Sequence, residues 1–404
     1  MTLSRCGQHW LALILLTMVC LVCTPRWAQA TQTAPATESP ADSPRIGVVT
    51  MAPGDVFFER FGHDALVVAE PGQPPLSYNF GFFDPGEPDF IGNFARGKMM
   101  YWLVALPLAQ DLQQYADAGR GATLQWLDLP AGQARTLADH LAQWAASPEA
   151  RYRYDYYQAN CATMVRDALD KAMDGSLHNQ LAGRSRGNTW RSESVRLASP
   201  APWMALGFDL ALGPQADQPL SRWDEAFVPM RLADSLRTAV NRDGRPLVAE
   251  EITLLPHRLA PEPAEAPRRQ WPWLLTGVCL AGLLYASARR HPGLYRVVRS
   301  GFWLTTGMLG VVMALLWGLT DHTAGWANRN LLLCTPVVLP LLALRAQNGP
   351  SPRWARVLAL LPVIGSGIAL LVYGLQVQPQ YNPGWIALLA PAHAVLAWQL
   401  WQKD

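Results

Sequence analysis

Two residues in this chain combine a reactive side chain with a setting that would put it to work: Cys161 and His63. Around the first, residues 152–169 read YRYDYYQANCATMVRDAL. The strand-prone aromatics Tyr152, Tyr154, Tyr156 and Tyr157 stop at Gln158-Ala159-Asn160. Ala162, Val165 and Leu169 then recur at helical spacing, so Asn160 reads as an N-cap. Cys161 is thereby placed in the first turn of a helix, where unpaired N–H groups and the positive end of the dipole favour a thiolate, the form that attacks a carbonyl carbon. His63 follows Gly62 and opens the strand-like run ALVVA at 65–69. From there an imidazole can reach a helix N-terminus across a sheet and take a proton from sulfur. The chemistry expected is nucleophilic catalysis by a Cys161–His63 dyad.

A third group should orient the imidazole. Asn79, on the strand after the histidine strand, is the first candidate and Tyr78, on the opposite face, the second; strand alternation lets only one point inward. Asp64 is a weaker candidate, since strand geometry turns it away from His63. Thr163, close to the helix start, is expected to line the substrate site with Tyr78, and the N–H of Cys161 itself can meet a developing oxyanion. Arg166 and Asp167 read as an ordinary helix face, and Arg191 and Arg196 as surface arginines in preference to head-group ligands. No HExxH or CxxC pair occurs in the same region, and His140, His178 and His257 lack ligand spacing, so no metal is expected. Without a glycine-rich phosphate loop, no cofactor is expected either.

These residues need an exported domain to hold them. The chain has 404 residues, half of them hydrophobic, with 17 tryptophans and a net charge of +2, which points to a membrane component and away from nucleic acid. Residues 1–30 read as a secretory signal: Arg5, an apolar core of about 14 residues, too short to span a bilayer comfortably, and Ala28-Gln29-Ala30 as a cleavage site. Of the six cysteines, Cys161 alone lies in the exported soluble part, where an oxidising compartment would normally pair it. Residues 31–45, rich in Pro, Ser, Thr and Ala, read as a linker. Residues 46–255 then form an α+β domain, with strands expected at 46–51, 65–69, 76–83 and 123–129, helices at 108–118 and 131–146, and a covering loop or hairpin at 90–106. Residues 187–230 are rich in turn formers.

A second proline-rich linker at 256–270 leads to an all-α transmembrane bundle at 271–404, with five apolar stretches at 271–288, 301–320, 331–344, 355–375 and 384–401. Arg289, Arg290, Arg296 and Arg299, and then Arg345, Arg353 and Arg356, sit in alternate loops. The positive-inside rule puts those loops in the cytoplasm and the N-terminal domain outside the inner membrane. The polar loop from Thr320 to Asn330 falls at the outer interface, where Asp321 and His322 are candidates to bind a lipid head group or an incoming amine, or else simply to cap two helices. Trp271, Trp273, Trp326 and Trp385 read as interfacial anchors.

The segments ERFGHDALVV, LSYNFGFFD, NFARGKMMYWL, YRYDYYQANCATMVRDALD and LALGPQADQPLSRWDEAFVP, together with TDHTAGWANRNLL in the membrane region, resemble the Lnb-type lipoprotein N-acyltransferases. The resemblance implies a papain-like thiol-enzyme fold in circularly permuted order, histidine before cysteine, with Cys161 as nucleophile and His63 as base. Asn79 is not part of the resemblance. It further implies transfer of a fatty acyl chain from a phospholipid or diacylglyceryl ester, through a Cys161 thioester, to the N-terminal amine of a lipoprotein, so the expected partners are lipids and lipid-modified proteins. Two other readings stay open: a membrane-tethered cysteine amidase or peptidase of the cell envelope, and a non-catalytic membrane assembly module.

Overall fold

Antiparallel pairing organises the N-terminal half. The computed structural model describes residues 42–344, 351–376 and 380–402. The expected signal (1–30), most of the first linker, Arg345 and the end of the chain lie outside the described residues. Strands β1 (Arg45–Met51), β2 (His63–Ala69) and β3 (Leu76–Phe82) come first, then helix α1 (Phe90–Arg96), β4 (Met100–Pro107), α2 (Leu108–Asp117), β5 (Ala122–Leu127), α3 (Ala131–Ala145) and the short β6 (Arg151–Arg153). Helices α4 (Cys161–Ala172), α5 (Ser176–Leu181), α6 (Trp190–Ala198), α7 (Pro202–Ala211), α8 (Arg222–Glu225) and α9 (Pro229–Thr238) follow, and β7 (Val248–Leu255) closes the domain. The sheet order is β6-β4-β3-β2-β1-β5-β7, and every neighbouring pair is antiparallel.

Both faces of the sheet are buried, which explains why β1 and β2 read as continuous apolar runs instead of alternating ones. On one face Val48, Leu66, Val68, Tyr78 and Phe80 pack with Ala162, Val165 and Leu169 of α4. On the other, Val49, Ala65 and Val67 pack with Leu108 and Tyr115 of α2. The even-numbered residues of β2 therefore face α4 and the odd-numbered ones, His63 among them, face α2.

Three stretches differ from expectation. Residues 90–106 are a helix followed by a strand, neither loop nor hairpin. The turn-rich 187–230 holds helices α6 to α8, with Thr189 and Ser221 forming capping boxes. Strand β7 escaped notice because its exposed edge carries Glu250 and Glu251 among the apolar residues.

The second linker is pinned throughout. His257 Nδ1 accepts from the Gly121 N–H at 3.0 Å, Glu262 and Glu265 pair with Arg196 and Arg231, and Arg268 pairs with Asp209 at 2.6 Å. Beyond it lie α10 (Trp271–Arg290), α11 (Pro292–Leu319), α12 (Arg353–Gly374) and α13 (Pro383–Trp401). Among the described residues α10, α11 and α12 are long and apolar enough to cross a membrane. The third expected stretch is not an α-helix: residues Arg329–Leu332 and Pro336–Ala343 form 3-10 segments, because Pro336 and Pro340 remove the donors an α-helix would need.

Candidate functional site

The site forms where the β2/β3 ladder stops. Ala65 and Asn79 are its last pair, and on the other side of β3 the register with β4 shifts between Phe80 and Phe82, where Gly81 bulges with φ +92°. That backbone conformation favours glycine, and a Cβ added there would come into ordinary contact with the Tyr154 ring, the Tyr152 hydroxyl and the Cys161 Cβ. The N-terminus of α4 thus reaches the open sheet end at the level of His63.

Helix α4 begins as expected. The Asn160 Oδ1 accepts from the Thr163 N–H at 2.9 Å and the Thr163 Oγ1 accepts from the Asn160 N–H at 2.8 Å, a reciprocal cap. Thr163 is fully buried in this role, so it does not line a substrate site, contrary to expectation. Cys161 is half-buried and unpaired. The backbone N–H groups of Asp64, Ala162 and Cys161 all act on its sulfur.

Those donors do not make a resting thiolate. Burial pushes the Cys161 thiol up to about 12, with the Asp64 charge adding to it, and this outweighs the helix-terminus effect read from the sequence. Burial also holds the His63 imidazole below its ordinary value, against the pull of Asn79, Asp111 and Asp64. Thiol and imidazole both rest neutral, and what ties the sulfur to the histidine strand is the N–H of Asp64, the residue after His63.

The His63 Nε2 donates to the Asn79 Oδ1 at 3.0 Å. The amide is held in that sense because its Nδ2 donates to the Asp111 Oδ2 at 2.9 Å, and a carboxylate can only accept. Ser77 Oγ donates to the same Asp111 oxygen at 2.7 Å. Tyr115 stacks on the imidazole at 6.4 Å between centroids, Arg120 lies over the Tyr115 ring at 4.7 Å, and both feel the charge of a Cys161 thiolate. With Nε2 engaged, Nδ1 is the free base. Tyr78 is buried in the core on the α4 face and takes no part in this chain of bonds, which leaves it poorly placed to meet a substrate.

Asp111, Ser77 and Tyr115 were not singled out from the sequence. Asp111 had a signal: it falls between Leu108 and Tyr115 on the buried side of α2, an acid on an apolar stripe. Asp64 is not an orienter. It faces α4, accepts from Thr50 Oγ1 at 2.6 Å, and its second oxygen has no partner. Burial raises its carboxyl to about 7, with Thr50 and His63 partly opposing. An unfolded chain would release that proton near the ordinary carboxylate value of about 3.9. The folded chain therefore holds a proton the unfolded chain has lost, and Asp64 makes stability fall as pH rises from roughly 4 to 7. Asp64→Asn is expected to remove this dependence and to stabilise the protein at pH values above about 7 by on the order of a few kcal/mol, as read from thermal melting of the detergent-solubilised chain. A variant that melts with the wild-type pH profile would be the contrary result.

Asp321 and His322 are engaged within the chain. The Asp321 carboxylate accepts from Arg153 at 2.8 Å, its N–H donates to the Arg96 carbonyl at 2.8 Å, His322 Nε2 bonds the Phe94 carbonyl at 3.0 Å, and the His322 ring stacks on Tyr156 at 5.9 Å. Gly97 makes this possible: its φ is +73°, and a Cβ there would press on the Asp321 and His322 backbone at 3.0–3.1 Å. The loop after α11 is a clasp between the membrane helices and the site domain. Arg191 is wholly buried on Asp217 and the carbonyls of Leu212 and Gly213, and Arg166 lies over Trp223 at 4.0 Å; both are structural. No cluster of metal-ligating side chains occurs among the described residues.

Two family models match the chain. One is described as the Lnb N-terminal periplasmic domain and covers residues 31–196; the other, described as the Lnb transmembrane domain, covers residues 267–400. The first span contains Cys161, His63, Asn79 and Asp111, and the second contains the clasp. No curated protein and no solved structure gives a match. The chain is thus a membrane protein with a periplasmic N-terminal domain.

Proposed function

The chain belongs to the Lnb family, and from that premise we propose that it is a cysteine-dependent acyltransferase of the inner membrane. It crosses that membrane several times and moves a fatty acyl chain from a phospholipid or diacylglyceryl ester to the N-terminal amine of a lipoprotein. The observation that carries this reading is the Cys161 thiol at a capped helix start, its sulfur met by the N–H of Asp64 next to His63, whose Nε2 is anchored through Asn79 to Asp111. The order of the two residues, histidine on a strand before cysteine on a helix, supports a permuted papain-like domain.

His63 Nδ1 takes the Sγ proton as sulfur attacks the ester carbonyl. Because both groups start neutral, proton transfer and attack proceed together, and Asp111 and Asn79 stabilise the imidazolium that forms. The N–H groups at the start of α4 meet the oxyanion. Collapse breaks the ester C–O bond, the imidazolium returns its proton to the departing alkoxide, and a Cys161 thioester remains. The free amine then attacks the thioester carbonyl, giving up a proton to His63. The C–S bond breaks, the amide product leaves and the sulfur regains its proton. The half-buried setting of Cys161, with the half-buried Tyr154 ring near it, limits the access of water to the thioester.

The test is to incubate the purified full chain in phospholipid vesicles with a diacylglyceryl lipopeptide and to analyse the peptide by mass spectrometry. An amide-linked acyl chain on its N-terminal cysteine is expected. Release of free fatty acid with no amide formed would assign a hydrolase instead.

A further inference from the structure

An apolar surface beside the site has no partner within the chain. Phe58 is 61% exposed, Ile91 80% and Trp203 69%, with Val56, Phe57 and Leu206 also exposed. Isolated exposed apolar residues are ordinary, but those of the 56–58 turn and helix α7 are joined. Phe57 stacks on Trp203 at 6.3 Å, which links the turn before His63 to helix α7. The acids nearest the patch are neutralised within the chain, Asp55 by Arg60 at 3.2 Å and Asp89 by Arg96 at 2.9 Å.

What covers this surface follows from helix α7. Trp203, Leu206 and Leu210 stand at i, i+3 and i+7, one stripe along one face. Leu210 is buried in the core of the membrane domain, and its carbonyl accepts from Asn328 at 2.8 Å and Asn330 at 3.0 Å. The stripe therefore runs out of the packed membrane helices and emerges as Leu206 and Trp203, so the exposed surface continues the membrane-facing part of the molecule. Exposed Trp, Phe and Ile on such a continuation suit the interfacial zone of a bilayer. On the inner side, ring contacts run from Phe58 to Phe83 at 5.9 Å, to Tyr101 at 5.1 Å and to Tyr154 at 4.5 Å, whose ring lies at the Gly81 bulge with Cys161.

We propose that the 56–58 turn and the Trp203–Leu206 stripe form a lip seated in the outer leaflet of the bilayer. Along this lip a fatty acyl chain leaves the lipid and passes Phe83, Tyr101 and Tyr154 to reach Cys161. The delivery role rests on the acyltransferase reading; the seating in lipid does not.

The experiment uses the full chain in phospholipid vesicles. An environment-sensitive fluorophore is attached at Phe58→Cys in a Cys161→Ala, Cys279→Ser background, with Asp243→Cys, on an exposed turn, as the control position. Lipids carrying a nitroxide near the head-group end of the acyl chain are expected to quench the label at 58 several-fold more than at 243. Equal quenching at the two positions overturns the lip and leaves the surface to a protein partner. In the second arm, Phe58→Ser with Trp203→Ser is expected to raise KM for a vesicle-embedded acyl donor by about tenfold, the scale of withdrawing part of the apolar surface of two side chains from lipid. Phe58→Leu with Trp203→Leu is expected to restore it. A KM unchanged by the serine pair overturns the delivery role. Because the quenching arm contains no nucleophile, failure of the acyl-transfer chemistry leaves its result intact and is told apart from failure of the lip.

Discussion

Cys161→Ala is expected to abolish acyl transfer, a fall of about 10⁴-fold or more, the scale seen when a covalent nucleophile is removed. The substitution deletes one sulfur from a half-buried position whose Cβ is retained and whose helix cap depends on Asn160 and Thr163, so the fold should survive with a stability change within about 1 kcal/mol. Cys161→Ser tests the reading more sharply. The thiol is already held protonated by burial, and a hydroxyl is a still weaker acid, so His63, itself held below its usual value, would have to remove a more tightly held proton. The serine variant should therefore be nearly as inactive as the alanine one. Mass spectrometry of the lipopeptide product, with thermal melting as the check on folding, reads both. Transfer that persists in the alanine variant would remove sulfur from the mechanism.

The second large effect is expected at Asp111, which touches neither reactive atom. Its carboxylate accepts from Asn79 Nδ2 and from Ser77 Oγ, and this fixes which end of the Asn79 amide faces the imidazole. Asp111→Asn introduces an amide that can donate as well as accept, so Asn79 is free to turn its NH₂ toward His63 Nε2. That arrangement favours the tautomer with the proton on Nδ1, the nitrogen that must be free to accept from sulfur. A fall in kcat of about a hundredfold or more is expected, as when the orienting acid of a catalytic triad is replaced by its amide. KM for the acyl donor should change little, since Asp111 lies on the α2 face and away from the thiol's approach. A kcat within about twofold of wild type would show that the orientation of Asn79 does not govern the base. Asp111→Ala is the less informative change: it orphans two buried donors, and lost stability would confound the rate.

The contrast between Cys161 and Asp111 shows what could be read before the structure. The start of α4 was legible because an N-cap is a local device: Asn160, Cys161 and Thr163 lie within one turn, and their types state the geometry. The strands around His63 and Asn79 were legible for the same reason, as runs bounded by turn formers, and alternation correctly separated Asn79 from Tyr78. Asp111 was not, because its role depends on a sheet register that brings α2 under β3, a relation with no short-range sign. The ionisation of Cys161 failed in a related way. The dipole of its own helix is visible in sequence, whereas the burial that overrides it is contributed by residues as far apart as Asp64, Gly81 and Tyr154. In the membrane half, hydropathy marked residues 331–344 correctly as apolar, but Pro336 and Pro340 decide the helix type. The roles of Asp321 and His322 could not be read at all, since their partners Phe94, Arg96, Arg153 and Tyr156 all lie far earlier in the chain.

Those last contacts bear on how substrates must behave. With the loop after α11 locked to the turn at Gly97, the second linker stapled along its length and Leu210 gripped by Asn328 and Asn330, the periplasmic domain is a fixture and not a ball on a string. Its thiol then stands at a set height above the bilayer. On the acyl-transfer reading, searching then falls to the molecules that visit, which would have to bring their ester and their amine to that height by their own freedom of motion.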